Sequence, residues 1–178
     1  MTKAHMGYRF ESMTPDHRKP VIDIYNHYIE KSWAAYPDEP VGYALFDRFL
    51  DMTRGYPSLV VQTDSGDVVG FAFLRAFRPA ATFRRTVEIT YFILPEHTHQ
   101  GLGGKILECF ERDAEESGVD NLLASISSRN PLSLDFHRKH GFVECGRLRS
   151  VGRKFGEDFD VVWMQKRIGG TLRSGRRE

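Results

Sequence analysis

The sequence predicts an α/β (α+β) chain, a mixed central sheet flanked by helices. Three observations predict it. Apolar runs of strand length recur along the chain, stretches with helical apolar spacing lie between them, and one strand passes through a glycine-rich loop straight into a helix. "GYRFESM" reads as the first strand. Thr14 followed by Pro15 forms a helix start, a capping residue with proline at the first helical position. Val21, Ile24, Tyr25, Tyr28 and Ile29 then recur on one helical face, and Pro20 is expected to break or kink that helix early. "VGYALFDRFLDMTRG" reads as a second helix ending near Gly55. "SLVVQT", the turn "DSGD" and "VVGFAFLRAF" form a hairpin, and "TVEITYFIL" is a further strand. Leu102, Ile106, Leu107, Phe110 and Ala114 line one face of the helix after the glycine loop. "NLLASIS" is a strand, and Asn130–Pro131 caps and opens the helix "PLSLDFHRKH", which Gly141 stops. "FVECGRLRSV" and "DFDVVWMQKR" complete the sheet. Residues 7–168 are expected to form one domain, with the polar end "GGTLRSGRRE" frayed.

Composition narrows the function classes. The chain has 178 residues, enough for one domain with a real core, and its 40% hydrophobic and 28% charged residues are ordinary for a globular protein. A formal charge of +1 gives no general attraction to nucleic acid or to a membrane, so neither is expected as a partner. No apolar run reaches the roughly 20 residues of a membrane span. "MTKAHMGYRF" lacks the apolar core of a secretory signal, and two cysteines suggest no disulfide framework, so the expected compartment is the cytoplasm.

The segment "HTHQGLGGK" carries Gly101, Gly103 and Gly104 at a helix start, where each glycine costs the helix about 1 kcal/mol relative to alanine. One explanation is a tight turn. The other is an anion site, because the first N–H groups of a helix lack internal partners and glycine lets the loop aim more of them at one point. Phosphate or pyrophosphate fits such a site. The spacing is neither that of a dinucleotide fold nor that of a P-loop.

Glu88 is a carboxylate within a strand whose two alternating sets are both mostly apolar. It is either paired with an arginine, such as Arg85 or Arg75, or a general base whose pKa burial raises toward neutrality. His137 reads as a partly exposed helical histidine, and Asn130 as a helix cap. His97 and His99 form H-x-H with no acidic or cysteine partner at metal-site spacing, so no metal is expected. Cys109 reads as packing. Arg78, Arg84 and Arg85, with Phe83, precede Glu88; they are either solvated loop charges or a clamp for a substrate carboxylate or phosphinate.

Taken in order, "VEITYFILPEHTHQGLGGKIL", "NPLSLDFHRKHGF" and "GRKFGEDFDVVWMQK" resemble the GNAT acetyltransferase superfamily, most closely its phosphinothricin N-acetyltransferase group. The likeness runs from "VIDIYNHYIEKS" to "VVWMQK". It implies the GNAT fold and acetyl-CoA as cosubstrate, held by Thr98, His99, Gln100, Gly101, Leu102, Gly103, Gly104 and Ser133, with Asn130 on the pantetheine arm. Thr98 departs from the usual Gln or Arg of that motif. The likeness also implies that Glu88 takes a proton from the substrate ammonium. A main-chain N–H within Tyr91, Phe92 and Ile93, near a bulge, is expected to polarise the acetyl carbonyl, and His137 to protonate the departing thiolate. Arg78, Phe83, Arg84, Arg85 and Trp33 become the expected substrate contacts. The relatives' Tyr is here Phe83, and the loop after the first helix reads "SWAAYPDEP", so the pocket differs from theirs. A homodimer is implied, with Trp33, Tyr36 and the "FRPAATF" loop at its interface. The expected activity is acetylation of a small amino-acid-like primary amine of the phosphinothricin or methionine sulfoximine type. Acetylation of a polyamine, aminoglycoside or peptide is the alternative, and a non-catalytic acyl-CoA binder is the competing class.

Overall fold

The computed structural model describes residues 7–169. Along the chain come β1 (Tyr8–Ser12), α1 (Arg18–Lys31), α2 (Leu45–Met52), β2 (Ser58–Thr63), β3 (Val68–Ala76), β4 (Thr86–Ile93), α3 (Leu102–Glu116), β5 (Asn121–Ser127), α4 (Pro131–Lys139), β6 (Val143–Lys154) and β7 (Glu157–Arg167). They form a seven-stranded sheet in the order β1-β2-β3-β4-β5-β7-β6. All neighbours are antiparallel except β4 and β5, whose parallel pairing is made possible by the α3 crossover. The frayed end expected from residue 169 onward falls, beyond Gly169, outside the described residues. No helix of the described residues is long and apolar enough to cross a membrane.

Strand alternation gives the sheet two apolar faces. Leu59, Val61, Ala72, Leu74, Val87 and Ile89 point to one face, where α3 lays down Leu102, Ile106, Leu107, Phe110 and Ala114. Burying such a side chain contributes about 1.5–3 kcal/mol, which makes this helical stripe the main anchor of α3. Val60, Phe71 and Phe73 point to the other face and meet Val21, Ile22 and Ile24 of α1 and Phe46 and Phe49 of α2.

Three local expectations change. Pro20 does not break the first helix. A 3₁₀ turn over Pro15–His17 comes first, α1 begins at Arg18, and Pro20 sits in its first turn, where a missing N–H costs little. The second helix begins at Leu45 rather than near Val41, because the segment before it runs as turns. The bulge expected near Tyr91–Ile93 is absent from the β3–β4 register, which runs without a shift from Gly70 opposite Ile93 to Ala76 opposite Val87.

What opens the sheet instead is the parting of β4 from β5. They pair only over Thr86–Glu88 and Asn121–Leu123. Beyond that point β5 remains paired to β7, through Ser127 opposite Val161. The remainder of β4, Ile89–Ile93, is paired on its β3 side alone, which leaves a cleft between two strands inside one sheet.

Candidate active site

The cleft holds a cavity of about 370 Å³ lined by β4 from Glu88 to Phe92, by β5 from Ala124 to Ser127, and by Arg75, Ala34, Ala35, Tyr36, Asn130, Ser133 and His137. A second cavity of about 610 Å³ runs along the glycine loop and the start of α4, past Thr98, His99, Gly101, Leu102, Gly103, Gly104 and His140. Both volumes are in the range of small-molecule sites. Tyr91, Phe92, Ala34, Asn130 and Ser133 border both cavities, so the two meet at the unpaired side of β4.

Glu88 is buried at 6% exposure. Its neighbours Val87 and Ile89 belong to the α3 core, so alternation turns Glu88 to the opposite face, and the β3–β4 register sets it beside Arg75. Arg75 Nη2 lies 2.6 Å from Glu88 Oε2. The two sequence readings of Glu88 therefore hold together: it is paired, and it lies in a cavity. Burial raises its pKa above the usual carboxylate value; the charges of Arg75 and Arg78 oppose that shift and do not cancel it. The pair therefore sets a carboxylate of raised proton affinity at the wall of the cavity.

His137 is not the partly exposed histidine that its helix suggests; it is 3% exposed. Its Nδ1 lies 2.7 Å from the Ser133 carbonyl oxygen, an acceptor, so Nδ1 carries the hydrogen. Nε2 then accepts from the Tyr91 hydroxyl at 2.6 Å. Burial pulls the pKa of His137 down to about 4. With Nδ1 held by a carbonyl and Nε2 turned to the Tyr91 hydroxyl, the geometry supports a positioning part for His137 rather than the donor role that the resemblance implies. The ring instead stacks on Tyr91 at 5.6 Å between centroids and holds it against the cavity.

The glycine loop is open to a ligand. Gly101, the residue that starts α3, has φ +77°, and nothing lies within 4 Å of the place where a Cβ would stand. His99 also adopts a positive φ of 59°. The chain thus turns left-handed just before a 15-residue helix, and its first residues, Leu102, Gly103 and Gly104, line the second cavity, as a helix start that receives an anion would. These features fit an anionic group such as a pyrophosphate. The Thr98 hydroxyl donates to the Pro95 carbonyl at 2.7 Å, so it shapes the loop that approaches the site. Gln100 is exposed next to it. Asn130 caps α4 by accepting from the Ser133 N–H at 3.2 Å while bordering both cavities. Tyr28 donates to the Ile93 carbonyl and ties α1 to the end of β4.

The other expected substrate contacts are not brought to the cavity wall. Arg85 is ion-paired with Asp120. Arg84 and Phe83 are exposed in the 3₁₀ turn before β4, where Phe83 meets Phe77 edge-on. Arg78 is exposed and stacks over Phe77 at 4.7 Å, so only its charge reaches Glu88. Trp33 sets its ring edge-on to Phe155 and Phe159 and is not among the residues lining the cavity, although its neighbours Ala34, Ala35 and Tyr36 are. Ser125 and Ser127 are site residues that the sequence reading passed over; alternating serines in the apolar run "NLLASIS" were the available signal.

Comparison with known proteins points to one family. A model of the acetyltransferase (GNAT) family matches residues 12–142. The L-methionine sulfoximine/L-methionine sulfone acetyltransferase of Pseudomonas aeruginosa is 32% identical over 85% of this chain and 89% of its own length. The phosphinothricin N-acetyltransferase of Alcaligenes faecalis is 34% identical over 82% of this chain and 75% of its own. A crystal structure of a GNAT phosphinothricin acetyltransferase from Sinorhizobium meliloti in complex with acetyl-CoA superposes with a TM-score of 0.87 at 26% identity, covering 96% of this chain and 94% of that one.

Proposed function

The chain belongs to the GNAT acetyltransferase family, and from that premise we propose that it acetylates the primary amine of a small amino acid or amino-acid analogue, with acetyl-CoA as donor. The observation that carries this reading is the meeting of two cavities at Tyr91–Phe92, with the glycine loop in one and the Glu88–Arg75 pair in the other. Glu88 takes the proton of the substrate ammonium, directly or through water, and the freed amine attacks the acetyl carbonyl. Main-chain groups on the unpaired side of β4 polarise that carbonyl. The Tyr91–His137 pair holds the wall between the cavities, and solvent protonates the leaving thiolate.

Arg75 is the cation on the acceptor side of the cavity and the group we assign to a substrate carboxylate, since a guanidinium has donors left after one contact with Glu88. Relatives named for methionine sulfoximine, methionine sulfone and phosphinothricin make those three amines the first acceptors to try. A panel containing them, ordinary amino acids, their amides and polyamines, followed by release of the coenzyme A thiol, is expected to favour the amino-acid analogues. A polyamine turned over far faster than every amino-acid analogue would overturn the substrate class. Arg75→Met is expected to raise KM about tenfold or more for carboxylate-bearing amines and much less for the matching amides, the size of a lost charge-assisted contact. Because carboxylates and amides share any disturbance of Glu88, an equal effect on both removes Arg75 from carboxylate binding.

A homodimer in the cytoplasm completes the proposal. Both cysteines are free, as a reducing compartment requires. The edge strand β6 exposes Val143, Leu148 and Val151, and Phe155 beyond its end is 51% exposed. Trp33, expected at the interface, packs within the chain, so β6 is the better candidate for the contact. Light scattering at micromolar concentration is expected to give twice the chain mass; the monomer mass would count against it.

A further inference from the structure

We propose that Lys154 is a positioning residue for the acceptor: its ammonium clasps the Ser32–Tyr36 segment that roofs the Glu88 cavity and so sets the width of that cavity. Lys154 ends β6, far from the site in sequence, yet is only 3% exposed. Its Nζ donates to the Ser32 carbonyl at 2.9 Å and to the Ala35 carbonyl at 2.7 Å. A buried ammonium is costly unless hydrogen-bonded, and two carbonyls from one short segment are what offset that cost here. Asp38, just beyond the segment, supplies an opposing charge, and the Phe155 ring lies 4.8 Å from the ammonium.

The clasped segment has no helix or strand to hold it, because α1 ends at Lys31 and α2 begins at Leu45. Ala34, Ala35 and Tyr36 line the Glu88 cavity, while Ser32 and Ala34 line the glycine-loop cavity. The tip of the β6–β7 hairpin supplies the rest of the grip. Phe155 and Gly156 turn with positive φ values of 51° and 79°, and the chain returns to place Phe159 flat against Tyr36 at 5.8 Å and edge-on to Trp33. A Cβ on Gly152 would stand 2.3 Å from the Phe159 ring, so only glycine there seats that ring as it lies. Tyr36 is then fixed at both ends, its ring on Phe159 and its hydroxyl 3.0 Å from Ser125 Oγ on β5. The roof is thus bound to a distant hairpin, with Lys154 as its polar fastening.

The kinetic part of the test rests on the acetyl-transfer reading above; the exchange part does not. Lys154→Met keeps the volume and removes the donors. It is expected to raise KM for the amine about tenfold and KM for acetyl-CoA by a clearly smaller factor, because Ala35 and Tyr36 border the Glu88 cavity alone while only Ser32 and Ala34 touch the glycine-loop cavity. In hydrogen–deuterium exchange read by mass spectrometry, peptides covering residues 32–38 are expected to take up deuterium faster, with peptides from β3 and β4 unchanged. Equal rises in both KM values, or unchanged exchange over 32–38, would overturn the proposal. Lys154→Arg, which keeps the charge but crowds the two carbonyls, carries the same readouts with smaller shifts should the methionine variant fail to fold. If the unaltered protein turned over no amino-acid amine, the substrate reading would fall, while the exchange comparison would still decide the clasp.

Discussion

Glu88→Gln is expected to lower turnover of the amine by about 100-fold or more while leaving acetyl-CoA affinity nearly intact, the scale of a lost general base. Glutamine matches the side chain in size and still accepts a hydrogen bond from Arg75, but its amide cannot take a proton at any working pH. Glu88 borders only the acceptor cavity and is absent from the wall of the glycine-loop cavity, which is why binding of the donor should be spared. Arg75 is left without its anion, yet its side chain is 38% exposed, so solvent limits the structural penalty. The pH profile adds a second check. Burial raises the pKa of Glu88 above 4.5, so the acid limb of kcat/KM should fall above the range of an ordinary carboxylate. Full turnover of the glutamine variant across pH would make Glu88 a structural partner of Arg75 and nothing more. Steady-state rates with isothermal titration of acetyl-CoA would measure both halves.

Acidification should weaken the fold through His137. The unfolded histidine takes a proton near pH 6.5, whereas the folded one resists until about 4. The unfolded state therefore binds more protons in this interval. The contribution is present in full above pH 6.5 and is lost as the pH falls through 4. The separation corresponds to about 3 kcal/mol. His137→Leu is expected to flatten this loss, although its baseline at pH 7 is lower because the Tyr91 hydroxyl and the Ser133 carbonyl lose their partner. Urea midpoints at pH 7 and pH 5 for both proteins isolate the effect, since other titrating groups, Glu88 among them, contribute equally to each. The same slope in both proteins would mean that the fold leaves the proton affinity of His137 unshifted, and would remove the ground for denying it the proton-donor role.

The structure assigns different origins to different parts of this site. What lies close along the chain was readable from the residues. The stripe Leu102–Ala114 faces the core as its spacing requires, Asn130 caps the helix it precedes, and Gly141 ends that helix with φ +85°. Gly101 lies at an open helix start, while Gly103 and Gly104 sit in the first turn of α3 against Phe136 and His140. Each depends on a few consecutive residues whose backbone preferences agree. The family was legible for a related reason: its motifs are local strings in a fixed order.

Partnerships between distant residues were not legible. Sequence reading left Arg75 and Arg85 as equal partners for Glu88; the strand register chose Arg75, and Asp120 at the start of the next strand took Arg85. The helix of His137 reads as partly exposed, but docking it against Tyr91 buries the ring and engages both of its nitrogens. Trp33 turns toward a hairpin more than a hundred residues away, and Lys154 reaches back from that hairpin to the carbonyls of the same loop. Periodicity and capping report how each segment folds and which side it buries. Which charge meets which carboxylate, and which ring is buried against which hydroxyl, depends on strand pairing and helix docking between segments far apart in the chain, so tertiary structure alone decided them.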